Sequence, residues 1–360
     1  MKRSLEMKRQ TVSTLSQTAT ENTAGAPLPE CSHGVALKFT REDKASGKSR
    51  DFYACSANRD RKVCSLFHWV EDWERKLKRG NKVVVLEGLP PREKKSRPDE
   101  TLGINAFTDN ASNAQFLFDK SSIEVIVAPI VAQCAKSPNA RALCIGTPSI
   151  HRALLKVGID SVLLDEDERL DTVLPNSQRF NVFNGNTYGK TLPEDDFAVI
   201  AMDPPFHPEL LGALFSTVND KFPKSSKNLI LFAFPCFFKE KVLAANPALS
   251  MSDVRLTYRN HKKYVSAERS PVRLYSSTVL SAITPSLNES AQYRICADCG
   301  DFRHVSNHHC KECGTCTTVA GKQRYVHCKA CATCVKPQAT HCKECKRCFL
   351  SPHPHERRLD

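Results

Sequence analysis

The sequence predicts an α/β fold, a seven-stranded and mostly parallel sheet wound on both faces by helices and flanked by modules that fold around metal. Three observations carry this expectation. Aliphatic runs alternate with helical stretches between residues 105 and 288. An Asp-Pro-Pro-Phe turn closes one of those runs at 203–206. Cysteines and histidines recur at metal-ligand spacing on both sides of the region.

Strands are expected at 142–148, 161–167, 179–185, 197–202, 228–234, 254–259 and 272–279. Several are continuous aliphatic runs, the pattern of strands buried on both faces of a parallel sheet. Between the fourth and fifth, Leu210, Leu211, Leu214, Phe215 and Val218 repeat at helical spacing. That stripe reads as core packing and not as a cofactor contact. Residues 1–29 are rich in Ser and Thr, lack the aliphatic residues to fold, and are expected to form a disordered tail whose basic start also fits a weak targeting segment. Residues 30–74 read as a compact Cys/His module, 75–104 as a charged, proline-broken linker with a strand candidate at 83–86, and 289–360 as a second Cys/His module.

With 360 residues, 41% of them hydrophobic, the chain can hold one catalytic domain plus smaller modules. Its apolar runs are about half the length of a bilayer-spanning helix, so no transmembrane segment is expected. The formal charge of +13 falls to about +9 if four sites of three thiolates and one histidine each hold Zn²⁺. A basic surplus remains and points to a nucleic acid. Seventeen cysteines without an apolar leader at the start indicate zinc thiolates in a reducing compartment, not a secreted disulfide framework.

Asp203-Pro204-Pro205-Phe206 follows the run Phe197-Ala198-Val199-Ile200-Ala201-Met202, which places an acid, two stiff turn residues and an aromatic face at the end of a buried strand. An exocyclic amine of adenine is a poor nucleophile because its lone pair is delocalised into the ring. The carboxylate of Asp203 and the carbonyl of Pro204, accepting its two N–H bonds, favour a pyramidal nitrogen. Two prolines present carbonyls without competing donors, and Phe206 offers a surface for a flipped base. Upstream, Gly146-Thr147-Pro148 forms a glycine turn after the first strand, Asp165 ends the second strand where an acid can accept from a ribose diol, and Asn184 follows the third and is expected to border the cofactor's adenine. Gln115 and Phe118, just ahead of the core, are candidates to line the same pocket.

Cys31, His33, Cys55 and Cys64 make one tetrahedral set. Near the other end, Cys296-x-x-Cys299 is followed by three His-Cys-x-x-Cys-x-x-Cys repeats beginning at His309, His327 and His341. Adjacent cysteines compete for one ion, so the sets are expected to interleave: Cys296, Cys299, His309 and Cys316; Cys310, Cys313, His327 and Cys334; Cys328, Cys331, His341 and Cys348. Cys342 and Cys345, with His353 and His355, complete a fourth, giving about five structural Zn²⁺ in the chain. Such a stretch has too few aliphatic residues for a core and folds on metal.

These motifs together resemble the zinc-finger N6-adenosine methyltransferases of large-subunit ribosomal RNA. The order of glycine turn, acid, polar turn and Asp-Pro-Pro-Phe is similar to that of a Rossmann-like class I methyltransferase core, the first Cys/His module looks like a GRF-type finger, and the repeats look like the family's C-terminal fingers. The resemblance implies S-adenosylmethionine as cofactor, Asp203, Pro204, Pro205 and Phe206 as the catalytic motif, RNA as partner, and a nucleolar or nuclear location with some cytoplasmic presence. Ser270-Pro271-Val272-Arg273 also looks like a family segment. The family's terminal CCHC knuckle has no counterpart before Asp360, which bears on substrate choice and not on the chemistry. Two other classes share parts of the pattern. The cysteine repeats also resemble those of membrane palmitoyltransferases, but the only His-His-Cys follows Asn307 where those enzymes have Asp. A non-catalytic RNA-binding protein would have no use for an intact Asp-Pro-Pro-Phe, and related cores that modify glutamine carry Asn in place of Asp203.

Overall fold

The computed structural model describes residues 27–42, 48–58, 61–79, 115–194, 196–261, 263–267, 270–280, 293–317 and 325–350. Most of the expected tail, the linker with its strand candidate at 83–86, and both His353 and His355 lie outside them.

The first module pairs β1 (Glu30–Cys31) with β2 (Gly34–Val35), then folds β3 (Leu37–Glu42), β4 (Ser49–Ala54) and β5 (Phe67–Trp69) into an antiparallel sheet that leads into α1 (Val70–Lys78). It has a small core of its own in which Ala36, Tyr53, Leu66 and Trp73 pack around buried Cys31, Cys55 and Cys64.

The central domain runs α2 (Lys120–Cys134), β6 (Arg141–Ile145), α3 (Pro148–Lys156), β7 (Ser161–Asp165), α4 (Leu170–Val173), β8 (Ser177–Arg179), β9 (Phe197–Met202), α5 (Leu211–Lys221), β10 (Leu229–Pro235), α6 (Lys239–Ala245), β11 (Ser250–Arg255) and β12 (Val272–Ser276). Its seven strands lie in the order β11-β12-β10-β9-β6-β7-β8. Five strands from β10 to β8 are parallel, and β12 runs antiparallel between β10 and β11. All seven residues of β10 are buried, as two-sided coverage by helices requires. The helical stripe closes one face: Leu211, Leu214, Phe215 and Val218 of α5 are buried against Ile200, Phe232 and Phe234.

Two strands differ from the sequence expectation. The third, expected at 179–185, is β8 at Ser177–Arg179, because Phe180, Val182 and Phe183 are buried not within the sheet but in a cluster shared with Leu37, Phe39 and Ala54 of the first module. The sixth, expected at 254–259, is β11 at Ser250–Arg255. Its polar residues Ser252 and Asp253 are interior because the C-terminal module covers them.

That module begins with β13 (Tyr293–Cys296) paired to β14 (Asp301–His304) and continues as three short hairpins, β15 (His309–Cys310) with β16 (Thr315–Cys316), β17 (Val326–Cys328) with β18 (Thr333–Val335), and β19 (Thr340–Cys342) with β20 (Arg347–Phe349). No helix among the described residues is long and apolar enough to cross a membrane.

Candidate active site and metal centres

Strand order reverses at β6, whose neighbours β9 and β7 diverge into different connections, and this is where a doubly wound sheet opens a crevice at its carboxyl ends. Gly146 leaves β6 at φ +66°. A Cβ there would come within 2.9 Å of the Asp203 carbonyl oxygen, so only glycine lets the two strand ends close together without strain. The Asp203 amide donates to the Ile145 carbonyl at 3.1 Å, which fixes the start of the Asp-Pro-Pro-Phe turn beside the glycine turn. Thr147 and Pro148 are buried at the start of α3, where proline in the first turn loses no hydrogen bond.

The Asp203 carboxylate accepts a hydrogen bond from the Tyr258 hydroxyl at 2.9 Å through Oδ1. Desolvation pushes its pKa well above the ordinary carboxylate range, the tyrosine bond pulls it back, and the charge of Asp165 raises it further. Asp165, at the end of β7, accepts from Gln115 Nε2 at 3.0 Å and from the Asp167 amide at 2.9 Å. Burial still pushes it up to about 7. Two neighbouring carboxyls held against their own ionisation form a site that gains from a cation. Phe206 stands edge-on to Phe234, ring centroids 5.3 Å apart, and Pro205 is exposed beside it.

The segment 115–119 forms the opposite wall. The Asn260 side chain accepts from the Leu117 amide at 2.8 Å and donates to the Gln115 carbonyl, and Phe118 pairs with Tyr258 in an isolated bridge. Of the cofactor candidates, Gln115, Gly146, Thr147, Pro148, Asp165 and Asp203 are thus gathered at the strand ends. Two are placed elsewhere. Phe118 is buried beneath Tyr258, the rings stacked at 4.8 Å, so it supports the tyrosine from behind; Phe116, 41% exposed, is the aromatic of this segment on the surface. Asn184 turns away from the strand ends, its amide donating to the carbonyls of His33 at 3.0 Å and Val35 at 2.9 Å. Asn181 adds bonds to the His33 carbonyl and to Ser56 Oγ, so the loop after β8 clamps the first zinc module. Tyr258 was missed by the sequence reading: in the alternating run Val254-Arg255-Leu256-Thr257-Tyr258 it reads as one more inward residue of a strand.

The metal sets fall as the interleaving predicts. Cys31, His33, Cys55 and Cys64 gather in the first module, and the three C-terminal sets are Cys296, Cys299, His309, Cys316; Cys310, Cys313, His327, Cys334; and Cys328, Cys331, His341, Cys348. Tetrahedral zinc with bonds of about 2.3 Å separates its donors by roughly 3.8 Å. The observed Sγ–Sγ distances of 3.7 Å (Cys313–Cys334) and 3.6 Å (Cys331–Cys348) and the Cys299–His309 distance of 3.3 Å fit that tetrahedron. No cysteine is in a disulfide. The residue after each second cysteine, Gly300, Gly314, Ala332 and Lys346, has positive φ between 49° and 67°. Cys342-x-x-Cys345 therefore has the same knuckle turn as the other three, and Ala332 and Lys346 hold a left-handed conformation that costs about 1–2 kcal/mol without a metal to impose it. The remaining ligands proposed for that fourth set, His353 and His355, lie outside the described residues.

Ser270–Arg273, noted in the sequence without a role, is structural. Arg273 and Asp253 are both fully buried with Arg273 Nε 3.7 Å from the Asp253 carboxylate, and Arg273 donates to the Ser270 carbonyl at 2.9 Å.

Comparison with known proteins agrees with this geometry. A family described as "Probable N6-adenine methyltransferase" matches residues 109–278. The human rRNA N(6)-adenosine-methyltransferase ZCCHC4 is 28% identical over 82% of this chain and 72% of its own, and the Xenopus tropicalis protein of that name is 29% identical over 78% and 73%. The chain is a relative of the rRNA N6-adenosine methyltransferases. At 82% of this chain, the similarity to the human protein covers more of the sequence than the family match does. Among solved structures, a dimethyladenosine transferase from Plasmodium falciparum overlaps 45% of this chain and 61% of that one at 13% identity and a TM-score of 0.30, too slight an overlap to add to the topology above.

Proposed function

We propose that this protein transfers a methyl group from S-adenosylmethionine to the N6 amine of an adenine in ribosomal RNA, that of the large subunit, and that it does so in the nucleolus or nucleus. The observation that carries the reading is the carboxylate of Asp203 at the end of β9, held by the Tyr258 hydroxyl and backed by the Gly146 turn. The relatives' names support the substrate, and the basic surplus of the chain supports a polyanionic one.

Bound S-adenosylmethionine supplies a methyl carbon made electrophilic by a sulfonium. The residues of this chain do the rest. Asp165 would accept from the ribose hydroxyls of the cofactor, its carboxylate held in place by Gln115. Gly146 lets the Asp203-Pro204 turn close against the end of β6. Tyr258 occupies one face of the Asp203 carboxylate through Oδ1, which leaves Oδ2 and the Pro204 carbonyl to accept the two N–H bonds of the adenine amine. The positive charge of the cofactor would favour the ionised form of Asp203 against the desolvation that raises its pKa. Phe206 stacks on the extruded base, braced by Phe234. Positioning and electrostatics carry the rate, because the methylated nitrogen is acidic enough to lose its proton readily.

The test is to incubate zinc-replete protein with labelled S-adenosylmethionine and, separately, ribosomal RNA, messenger RNA, DNA and protein, and to digest the labelled product. Label in N6-methyladenosine of large-subunit RNA is the expected result. Label confined to protein overturns the reading.

A further inference from the structure

Between the central domain and the first two C-terminal fingers lies a cavity of about 200 Å³. Lys239, Arg303, Thr315, Thr317, Thr333 and Tyr325 line it, and no acidic residue does among the described residues. Zinc ligands of both fingers close its far side. Each three-thiolate zinc site carries a net charge of −1, and the two cations offset that field, so the cavity admits an anion that the fingers alone would repel.

Its position ties it to the methyl-transfer site. Lys239 begins α6 directly after Phe238, whose ring lies 5.9 Å from Phe234, and Phe234 is the ring that braces Phe206. Lys239 thus follows the carboxyl end of β10, the parallel neighbour of the strand that ends in Asp203. Cationic heads beside three hydroxyls and a phenol match what one unpaired nucleotide presents: a phosphodiester, and a base with polar edges and a flat face.

We propose that this cavity seats one nucleotide of single-stranded RNA flanking the target adenine, its phosphate against Lys239 and Arg303 and its base against Tyr325 and the threonine hydroxyls. The assignment rests on RNA as the substrate and adds a second point of attachment that fixes which stretch of a loop reaches Asp203.

Fluorescence anisotropy of a labelled single-stranded RNA of mixed sequence, titrated with the zinc-loaded full chain at several salt concentrations, tests it. Lys239→Ala lowers the slope of log affinity against log salt by about 0.7, the value for one phosphate contact on a single strand. Lys239→Arg restores the slope. Zinc content and cofactor affinity of both variants match the parent, which establishes that they are folded. An unchanged slope in Lys239→Ala, with the parent still binding the RNA, overturns the assignment. A parent chain that binds RNA but forms no N6-methyladenosine would overturn the methyl-transfer reading instead, and the slope alone would still decide the cavity.

Discussion

The N-terminal zinc module and the C-terminal fingers grip opposite edges of the same sheet, and they differ in what holds them. The first module docks beside β8 through Asn181 and Asn184, whose amides donate to main-chain carbonyls of the metal loop, and through an apolar cluster joining Leu37 and Phe39 to Phe180 and Phe183. The fingers dock beside β11 through a buried charge, Asp253, which accepts from the His304 amide at 2.6 Å and from Asn307 and faces Arg273, while Phe302 and Tyr293 share an apolar cluster with Val254 and Leu256. One module has an apolar core around its metal set. Fingers two and three have partly exposed ligands and little apolar packing, so metal is what folds them.

Metal removal breaks this comparison most strongly. Structural zinc contributes about 10–16 kcal/mol to small fingers. A strong chelator is expected to empty the second and third fingers first, the half-buried first finger next, and the buried N-terminal set last, as followed by a colorimetric zinc indicator. Simultaneous release of every ion would remove the distinction. Next in size is Asp253→Ala, which leaves Arg273 buried and unpaired. The expected loss is about 3–5 kcal/mol in denaturant unfolding, because an orphaned buried charge costs far more than the pair contributes. Asn184→Ala deletes the two hydrogen bonds to the first module at the other edge, together with the one its Oδ1 accepts from the Asn186 amide. It should cost about 1–3 kcal/mol and increase hydrogen exchange across 31–37 while leaving that of 293–304 unchanged.

The sheet between the modules responds to pH. Asp165 is raised from 3.8 to about 7 in the folded, cofactor-free protein. The folded state therefore keeps a proton that the unfolded chain releases within that window, and stability contributed by this group falls as pH rises from about 4 to 7. Cofactor binding favours the ionised form, so affinity for S-adenosylmethionine measured by calorimetry should rise by up to about tenfold per unit as pH climbs toward 7 and then level off. Asp165→Asn should flatten the profile.

Legibility in the sequence follows the same division. The central strands were readable because residues such as Leu163, Leu164 and Ile200 are apolar and buried on both faces, so composition and burial agree. The interleaved metal sets were readable because the spacing repeats. At the edges burial is supplied by another module, and periodicity misleads: Phe180 and Val182 are apolar but pack under the first zinc module, and Ser252 and Asp253 are polar yet interior beneath the fingers. Asn184 has the residue type and position of a cofactor contact, and only the fold reveals that the zinc loop takes its hydrogen bonds. Tyr258 reaches Asp203 across 55 positions of sequence, a separation that no local pattern records.

The carboxylate at the end of β9 is most directly tested by single-turnover methyl transfer in zinc-replete Asp203→Ala, with cofactor binding measured in parallel. Loss of one such electrostatic anchor slows transfer by about 10²–10³-fold, and here it should do so while zinc content and cofactor binding are retained. Transfer to adenine N6 at the parent rate would contradict the account.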